Sequence, residues 1–490
     1  MRRYDKITSR PRKHEGSPAR INFRPCLSVL RLFRNFIASQ LLIFLLLTAP
    51  GASAGLTDQV TETVLPNGLK VILLENHKAP LVTFQVWYRV GSRNETPGKT
   101  GLSHMLEHMM FKGTKKVGPE MFSRIIQENG GNNNAFTSHD YTAYYENLRS
   151  DRVQVAIDLE ADRMRHLVLR GKDFRTERMV VMEERRQRME DNPQAYLWER
   201  MEAAAFRVSP YRWPIIGWME DMEQWMLNDL KSYYKTYYNP ANAFLVVVGD
   251  FKKEELLPRI RKAFGSFQGS VKPDEERAED PPQKEERRIV VQKEAQLPFL
   301  VKGYHVPNLH HPDAYVLEVI AAVLSGGKSS RLYEGLVRGK RLALEADADN
   351  SLLSHDPRLF YVSAVPMPGR DTAELEKALD GEIARLRTEP VKDEELERAK
   401  NQIEAAFVFS QDSLFSQAAL LARHEIVGGW KKLDDYLSSI RNVTAEDIQG
   451  VAGRYLVPEN STVGILIPEG SKDSRGQGKA RSWEDGKIGR

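Results

Sequence analysis

The sequence predicts an α+β protein of two homologous halves, each a mainly antiparallel sheet with helices packed on one side. Apolar strand-like runs and long helical segments occur along the chain. A four-residue pattern that begins at residue 229 recurs from residue 447 at identical spacing, which indicates duplication. The length of 490 residues also exceeds what one ordinary core accommodates, so two or more domains are expected.

Residues 1–54 have the composition of a secretory signal peptide. Ten Lys or Arg residues precede a short apolar stretch from Phe36 to Ala49, and the small-residue cleavage pattern Ala52-Ser53-Ala54 follows. The apolar stretch is shorter than the ~20 residues that a membrane-spanning helix needs. We therefore predict a periplasmic or secreted protein with no stable membrane span after cleavage. An uncleaved anchor and an over-extended start are the alternatives.

Removal of this leader changes both the charge and the cysteine content. The full chain has a formal net charge of +4, but residues 1–54 hold ten basic and two acidic residues, so the remainder carries −4. This acidic remainder argues against nucleic-acid binding. Because Cys26 is the only cysteine, the remainder can form neither a disulfide nor a thiolate-ligated metal site. A metal would have to be bound by histidines and carboxylates.

The first half is predicted to span residues 55–268. Asn67-Gly68 lies between two apolar runs and predicts a β-hairpin. Leu81 to Val90 is rich in valine and aromatic residues, as strands are. The segment 130–145 is turn-rich and then β-prone, which predicts a glycine turn leading into a strand. Helices are predicted at Leu102 to Phe111, 119–129, 151–168 and 173–191.

A proline-containing, charged segment at residues 269–288 predicts a linker to the second half, residues 289–468, in which strands resume at Ile289. The two halves end alike, since four identical residues recur at the same offsets before an apolar strand. They are Asp229, Tyr237, Pro240 and Asn242 in the first half and Asp447, Tyr455, Pro458 and Asn460 in the second. Residues 469–490 are polar and Gly-rich and predict a disordered tail.

The sharpest chemical feature is the pattern His104-Met-Leu-Glu107-His108. Residues four apart share one face of a helix, so both imidazoles can reach one metal ion. Glu107 lies beside this pair and can accept a proton from a water that zinc activates. The apolar neighbours predict a buried helix, in which polar side chains need partners such as a metal. The alternative is a helix with two surface histidines and a carboxylate.

A catalytic zinc site usually has three protein ligands, so a further acid is expected on another element. The predicted helix 173–191 offers Glu177, Glu183 and Glu184. Glu177 and Glu184 are two helical turns apart and share a face, whereas Glu183 points about 100° away. Glu184 as a ligand, supported by Glu177, is a consistent arrangement. The spacing equally allows solvated helix charges.

The stretch from Gly101 to Thr114, GLSHMLEHMMFKGT, resembles the active-site signature of the pitrilysin/insulinase family of zinc metallopeptidases, the inverzincins. The short bacterial and mitochondrial-processing-peptidase-like branch is most similar, and the resemblance covers about residues 57–468. It implies one Zn²⁺ per chain, bound by His104, His108 and Glu184. It also implies that Glu107 is the general base and that Glu177 supports the site.

The segment Asn134-Ala135-Phe136-Thr137 resembles a strand that the family places at a sheet edge beside the zinc. The resemblance implies that an extended peptide substrate binds there by strand addition, through backbone hydrogen bonds. Broad tolerance of substrate side chains would follow, because the main chain makes the contacts. An ordinary hairpin strand is the alternative.

The second half departs from the family at one position. Active members of the short branch carry Leu-x-Arg-x-x-x-Leu-Ala-Tyr, and here Arg338 matches the arginine while Leu344 replaces the tyrosine. Arg338 is thus an expected substrate contact, whereas leucine cannot donate a hydrogen bond to an oxyanion. We predict a zinc endopeptidase that acts on peptides or unfolded segments, in a heterodimer with a homologous subunit or in a homodimer. The alternative is a non-catalytic or conditionally active subunit whose partner supplies the tyrosine.

Overall fold

The computed structural model describes residues 55–267, 271–274 and 279–470. It confirms the predicted α+β class, with two mainly antiparallel sheets surrounded by helices. The predicted leader and nearly all of the predicted tail lie outside the described residues, as does part of the predicted linker. Within the ranges described, no helix is both long enough and apolar enough to cross a membrane.

The first sheet confirms the predicted hairpin. Its strands are β1 (Val60–Val64), β2 (Lys70–Glu75), β3 (Leu81–Tyr88), β4 (Asn132–Thr137), β5 (Thr142–Arg149) and β6 (Ala243–Gly249). They lie in the order β1-β2-β6-β3-β5-β4, with β2 and β6 parallel and the other neighbours antiparallel. The turn between β1 and β2 places Gly68 at a φ of 89°, a conformation that glycine adopts without strain.

The second sheet repeats this topology. Its strands are β7 (Arg287–Lys293), β8 (Phe299–Val306), β9 (Ala343–Asn350), β10 (Arg358–Pro366) and β11 (Ser461–Pro468). Their order, β7-β11-β8-β10-β9, and their directions match those of β2-β6-β3-β5-β4, so each strand has a counterpart in the first sheet. Strand β7 begins two residues before the position predicted from the sequence.

The four helices predicted in the first half are present, with most ends within two residues of the prediction and the largest difference at the end of α4. The first-half helices are α1 (Leu102–Met109), α2 (Met121–Glu128), α3 (Val153–His166), α4 (Gly171–Arg185), α5 (Pro193–Ala205), α6 (Met219–Gln224), α7 (Leu227–Tyr237) and α8 (Lys253–Phe264). Helix α4 ends at Arg185 and continues as a π-helical turn, Arg186–Glu190. The second-half helices are α9 (Asp313–Ser325), α10 (Thr372–Thr388), α11 (Asp393–Phe409), α12 (Leu414–Val427), α13 (Asp434–Asn442) and α14 (Ala445–Tyr455).

Two of the four repeated residues, the aspartate and the asparagine, form the same contacts in both halves. Asp229 and Asp447 each accept a hydrogen bond from the main-chain N–H three residues earlier, at the N-termini of α7 and α14 (3.1 and 2.9 Å). The side-chain amides of Asn242 and Asn460 donate to the last carbonyl oxygens of these helices (3.0 and 2.8 Å). Each set therefore caps a helix and orients the strand that follows it.

The two halves exchange one helix each. One face of the first sheet packs on helices of its own half, and its other face buries Trp87 and Phe244 against α12 of the second half. Conversely, α5 of the first half covers the second sheet through Leu197 and Met201. Each sheet therefore has its own helices on one side, as predicted, and a helix from the other half on the second side. The exchange removes apolar surface from water on both sheets.

Candidate metal centre

Helix α1 carries His104, Glu107 and His108 at the edge of the first-half core. Its apolar residues Met105 and Leu106 are completely buried, which fixes the orientation of the helix. The side chain of His104 is also buried, while Glu107 and His108 are partly exposed. The helix therefore holds its polar residues in partly buried positions at the edge of the core.

A buried carboxylate that the sequence did not reveal holds the start of α1. Glu95 accepts hydrogen bonds from the main-chain N–H groups of Gly101 and Ser103 (2.6 and 2.7 Å). Burial raises the pKa of Glu95 to about 8, although these two hydrogen bonds oppose the shift. Gly101 has a φ of 86°, so the chain enters the helix through a left-handed conformation. No periodicity or motif in the sequence identifies Glu95 as a residue that positions α1.

Helix α4 brings Glu184 to the two histidines. Its carboxylate oxygens lie 3.6 Å from His104 Nε2 and 3.4 Å from His108 Nε2. One ligand atom from each of the three residues lies within 4.8 Å of the others, and no second group of this kind occurs among the described residues. The neighbouring Glu183 points away and accepts hydrogen bonds from Arg186 and Gln187. The structure thus places Glu184, rather than Glu183, in ligand position.

Glu177, one of the predicted site residues, supports His108 from the opposite side. Its carboxylate lies 3.0 Å from His108 Nδ1 and 2.6 Å from the ammonium group of Lys112. Burial lowers the pKa of His108, but hydrogen bonds with Glu177 and Glu184 outweigh it and raise the pKa to about 9. Both ring nitrogens of His108 therefore hold protons in the absence of a metal, and a metal would displace the proton on Nε2 while Nδ1 keeps its hydrogen bond to Glu177. The role of Lys112, one helical turn beyond His108, was not predicted.

The donor set fits a zinc ion. Two imidazole nitrogens and one carboxylate oxygen form a known set of catalytic zinc ligands. Burial, together with the charge on His108, lowers the pKa of His104 to about 4, so His104 is neutral and its ring nitrogen is available. The carboxylate of Glu184 has a lowered pKa because of its hydrogen bond to His108, and it is therefore ionised. Both states are those that a metal requires.

Glu107 and the predicted substrate strand meet beside this group. The hydroxyl of Thr137, at the end of β4, donates to the Glu107 carboxylate (2.5 Å), and burial raises the pKa of Glu107. Strand β4 is one of the two edge strands of the first sheet, and β1 is the other. Ala135 packs toward the α1 side of the sheet, whereas Phe136 packs against Trp87 on the other side. Asn134 is exposed.

The structure does not bring Arg338 into the metal group. Arg338 lies in a π-helical turn, Tyr333–Gly339, and is exposed. In the described part of the chain its hydrogen-bond partner is Glu334, four residues earlier (2.9 Å). Leu344 is the second residue of β9, and 46% of its surface is exposed. An apolar side chain therefore occupies the position predicted for a tyrosine and faces solvent.

The second half contains a counterpart of α1 without the histidines. Helices α1 and α9 are the first helices after the equivalent strands β3 and β8, and they align as HMLEH at 104–108 and YVLEV at 315–319. The glutamate is retained as Glu318, whose carboxylate accepts a hydrogen bond from the Asn350 amide at the end of β9 (2.8 Å). Burial raises the pKa of Glu318 to about 7. The pair Glu318–Asn350 thus repeats the pair Glu107–Thr137.

Family models and known relatives match most of the described chain. The model described as "Insulinase (Peptidase family M16)" matches residues 70–217, and that described as "Peptidase M16 inactive domain" matches residues 225–403. A relative from Helicobacter pylori, "Zinc protease PqqE", is 34% identical over 413 residues, which cover 82% of this chain and 92% of the relative. The chain belongs to peptidase family M16, the insulinase family. The predicted resemblance is therefore confirmed.

Other similarities extend over the same part of this M16 chain. "Uncharacterized zinc protease YmxG" of Bacillus subtilis is 27% identical over 409 residues, or 83% of this chain and 98% of the relative. The crystal structure of a protease from Helicobacter pylori has a TM-score of 0.80 at 33% identity and covers 84% of this chain and 99% of that one. An M16-like peptidase structure from Alicyclobacillus acidocaldarius, with a TM-score of 0.73 at 20% identity, shares the fold. The zinc proteases among these relatives support the predicted Zn²⁺ cofactor.

Proposed function

We propose that this M16 chain is a zinc-dependent endopeptidase that hydrolyses peptides or unfolded protein segments. The observation that carries the proposal is the convergence of His104, His108 and Glu184 within 4.8 Å, with Glu107 on the same helix. Zinc bound there supplies Lewis-acid chemistry, since it polarises a peptide carbonyl and lowers the pKa of water to about 7. The names of the relatives support the same reaction class.

Different side chains of this site bind the ion and transfer protons. His104, His108 and Glu184 hold the ion, and Glu177 fixes the tautomer of His108 through its Nδ1. Glu107 accepts a proton from the attacking water and later donates it to the leaving amine. Burial raises the pKa of Glu107 above its ordinary value, which makes this carboxylate a stronger base than an exposed one.

The outer edge of β4 is the proposed substrate site. An extended peptide that adds to this edge forms main-chain hydrogen bonds along residues 134–137. Thr137 contacts Glu107, so a peptide bound there runs past the proposed general base. A folded domain cannot present such a strand, which restricts the substrates to peptides and unfolded segments. Arg338 remains a proposed substrate contact, which would need a second subunit to bring it to a zinc site.

A conditionally active subunit is the second candidate function, and Leu344 favours it. Without the hydroxyl that the family carries at this position, a second half cannot donate that hydrogen bond to an oxyanion. A homologous partner with the tyrosine would complete the site of this chain in a heterodimer, and a homodimer is the alternative assembly. The composition of residues 1–54 supports a periplasmic or secreted location for either function.

The first experiment measures bound zinc and cleavage of a quenched, unstructured peptide. We expect about one zinc per chain and chelator-sensitive cleavage, both lost in His104→Ala and both retained in His311→Ala, an exposed histidine just before α9. Zinc binding without cleavage, with activity restored by a homologous subunit, would favour the conditionally active subunit. A folded protein that binds no zinc would refute both functions.

A further inference from the structure

The helix that supplies Glu184 changes its winding directly after this residue. Helix α4 ends at Arg185, and Arg186–Glu190 form a π-helical turn, closed by a main-chain hydrogen bond from the N–H of Asp191 to the carbonyl of Arg186 (2.7 Å). Turns of this kind are rare in proteins and are frequent at functional sites. The turn also decides which of the side chains after Glu184 reach the metal centre.

Three arginines follow Glu184 within four residues, and each has a different partner. Arg185 is buried and pairs with a glutamate of α5 through two contacts of 2.9 Å. Arg186 pairs with the exposed Glu183 (3.0 Å). Arg188 reaches back to Glu184, where its Nη1 lies 2.8 Å from the carboxylate Oε1. Of the three arginines, Arg188 is therefore the one that contacts a predicted metal ligand.

The two carboxylate oxygens of Glu184 have different neighbours. Oε1 pairs with Arg188 and lies 3.6 Å from His104 Nε2, whereas Oε2 lies 3.4 Å from His108 Nε2. A contact at one oxygen restricts rotation of the carboxylate and so keeps the other oxygen directed toward His108. A group that is oriented before its ligand arrives loses less conformational freedom on binding.

The predicted metal ligands differ in the partners that orient them. His108 is held through Nδ1 by Glu177 (3.0 Å), and Glu184 is held through Oε1 by Arg188. The Nδ1 of His104 is buried and has no hydrogen-bond partner within the part of the chain that the structure describes. Outer partners fix the orientation of metal ligands in proteins. The geometry of this centre therefore depends on Glu177 and Arg188.

Folding stability gives little reason for the contact between Arg188 and Glu184. The Arg188 side chain is 72% exposed, while that of Glu184 is 17% exposed. An exposed ion pair contributes little to the free energy of folding, because water screens its charges and ordering a long side chain costs entropy. We therefore expect Arg188 to affect the orientation of Glu184 and not the stability of the fold.

We propose that Arg188 is a positioning residue of the metal centre, which holds the Glu184 carboxylate in ligand orientation through Oε1. This inference rests on the proposed function, since it takes His104, His108 and Glu184 as the zinc ligands. Arg188 acts through the carboxylate and does not itself contact the ion. Glu177 and Arg188 then have equivalent tasks, one for an imidazole ligand and the other for a carboxylate ligand.

Zinc affinity of the full chain, measured by competition with a chelator, tests this role. Arg188→Gln should weaken zinc binding about tenfold, because Glu184 loses its outer partner. Arg186→Gln is the matched control, since it removes an arginine from the same turn that pairs with Glu183, and it should leave the affinity unchanged. Arg188→Lys should restore most of the loss, because a single nitrogen makes the contact and an ammonium group can replace it.

Two further measurements separate positioning from folding. The zinc-free forms of all three variants should unfold at the same temperature as the unmodified protein. Cobalt(II) bound in place of zinc has a visible absorption spectrum that depends on ligand geometry, so Arg188→Gln should change this spectrum while Arg186→Gln preserves it.

The outcomes distinguish this inference from the proposed function. Zinc binding by the unmodified protein with equal affinities in Arg188→Gln and Arg186→Gln would overturn the role of Arg188 and leave the proposed function intact. Tighter zinc binding in Arg188→Gln would also overturn it, because Arg188 would then compete with the metal for Glu184. An unmodified protein that binds no zinc would refute the proposed function and this inference together.

Discussion

The two halves share one topology, yet the described part of the chain holds metal-ligand geometry in the first half alone. Both halves place a glutamate on the first helix and a hydrogen-bond donor at the end of the outer strand, as Glu107–Thr137 and Glu318–Asn350. In the second half, packing residues replace the two histidines, since Val319 is completely buried and Tyr315 packs near Tyr436. The fold therefore supplies the frame, and a few side chains supply the chemistry.

The strand edges differ in the same way. The outer strand β4 carries the neutral run Asn-Asn-Asn-Ala-Phe-Thr, whereas β9 carries alternating carboxylates. A neutral edge can accept many peptides through the main chain alone, while an acidic edge selects basic segments. The two sheets thus have outer strands at equivalent positions that differ in charge.

The largest expected effect is the difference in peptide cleavage between substitutions of Glu107 and Glu318. Glu107→Gln should reduce peptide cleavage about a thousandfold without loss of zinc, because an amide cannot transfer a proton. Glu318→Gln, the matched substitution in the second half, should leave cleavage within twofold of the unmodified protein. Steady-state cleavage and zinc content of both variants check this prediction. Comparable losses in the two variants would mean that the halves are functionally equivalent.

The next largest effect is expected when a substitution at Leu344 restores the tyrosine hydroxyl that the second half lacks. Leu344→Tyr should raise kcat of the isolated protein up to about a hundredfold, because one oxyanion donor contributes about that factor. Leu344→Phe adds the ring without the hydroxyl and should have little effect. No gain in Leu344→Tyr would show that the second half does not reach a zinc site in a homodimer.

A smaller effect is expected at the carboxylate that supports His108. Glu177→Gln should weaken zinc binding about tenfold to a hundredfold, since loss of an outer partner reduces the basicity of the ligating imidazole. Glu183→Gln changes an exposed acid on the same helix and should leave the zinc affinity unchanged. Competition with a zinc chelator measures both variants, and equal affinities would remove Glu177 from the site.

The last prediction concerns the pH dependence of the zinc affinity. In the zinc-free protein the pKa of His108 is about 9, so below pH 9 zinc must displace a proton from this residue. Zinc affinity should therefore rise between pH 6.5 and 9, by at most about tenfold per unit. Glu177→Gln removes a partner that raises this pKa and should shift the rise to lower pH. Zinc titrations over this pH range would contradict the assignment if the affinity stayed constant.

Features confined to one element were predictable from the sequence. His104, Glu107 and His108 lie on a single helix, whose period puts them on one side. The turn at Gly68 and the repeated caps at Asp229 and Asp447 also depend on neighbours within a few residues. The contact of Glu184 with His104 and His108 joins residues 80 and 76 positions apart on two helices. Spacing alone left this contact open until the family resemblance favoured Glu184.

The sequence by itself determined the two-half α+β class and the helix that carries His104, Glu107 and His108, and the family resemblance identified Leu344 as a departure. Only the tertiary structure decided that α5 and α12 exchange sheets, that Glu95 caps α1, and that Glu318 and Asn350 imitate the first-half pair. The physical reason is the range of the interactions. Turns, caps and helical periods follow from residues close in sequence, whereas partners for apolar faces and buried carboxylates are set by packing between distant segments.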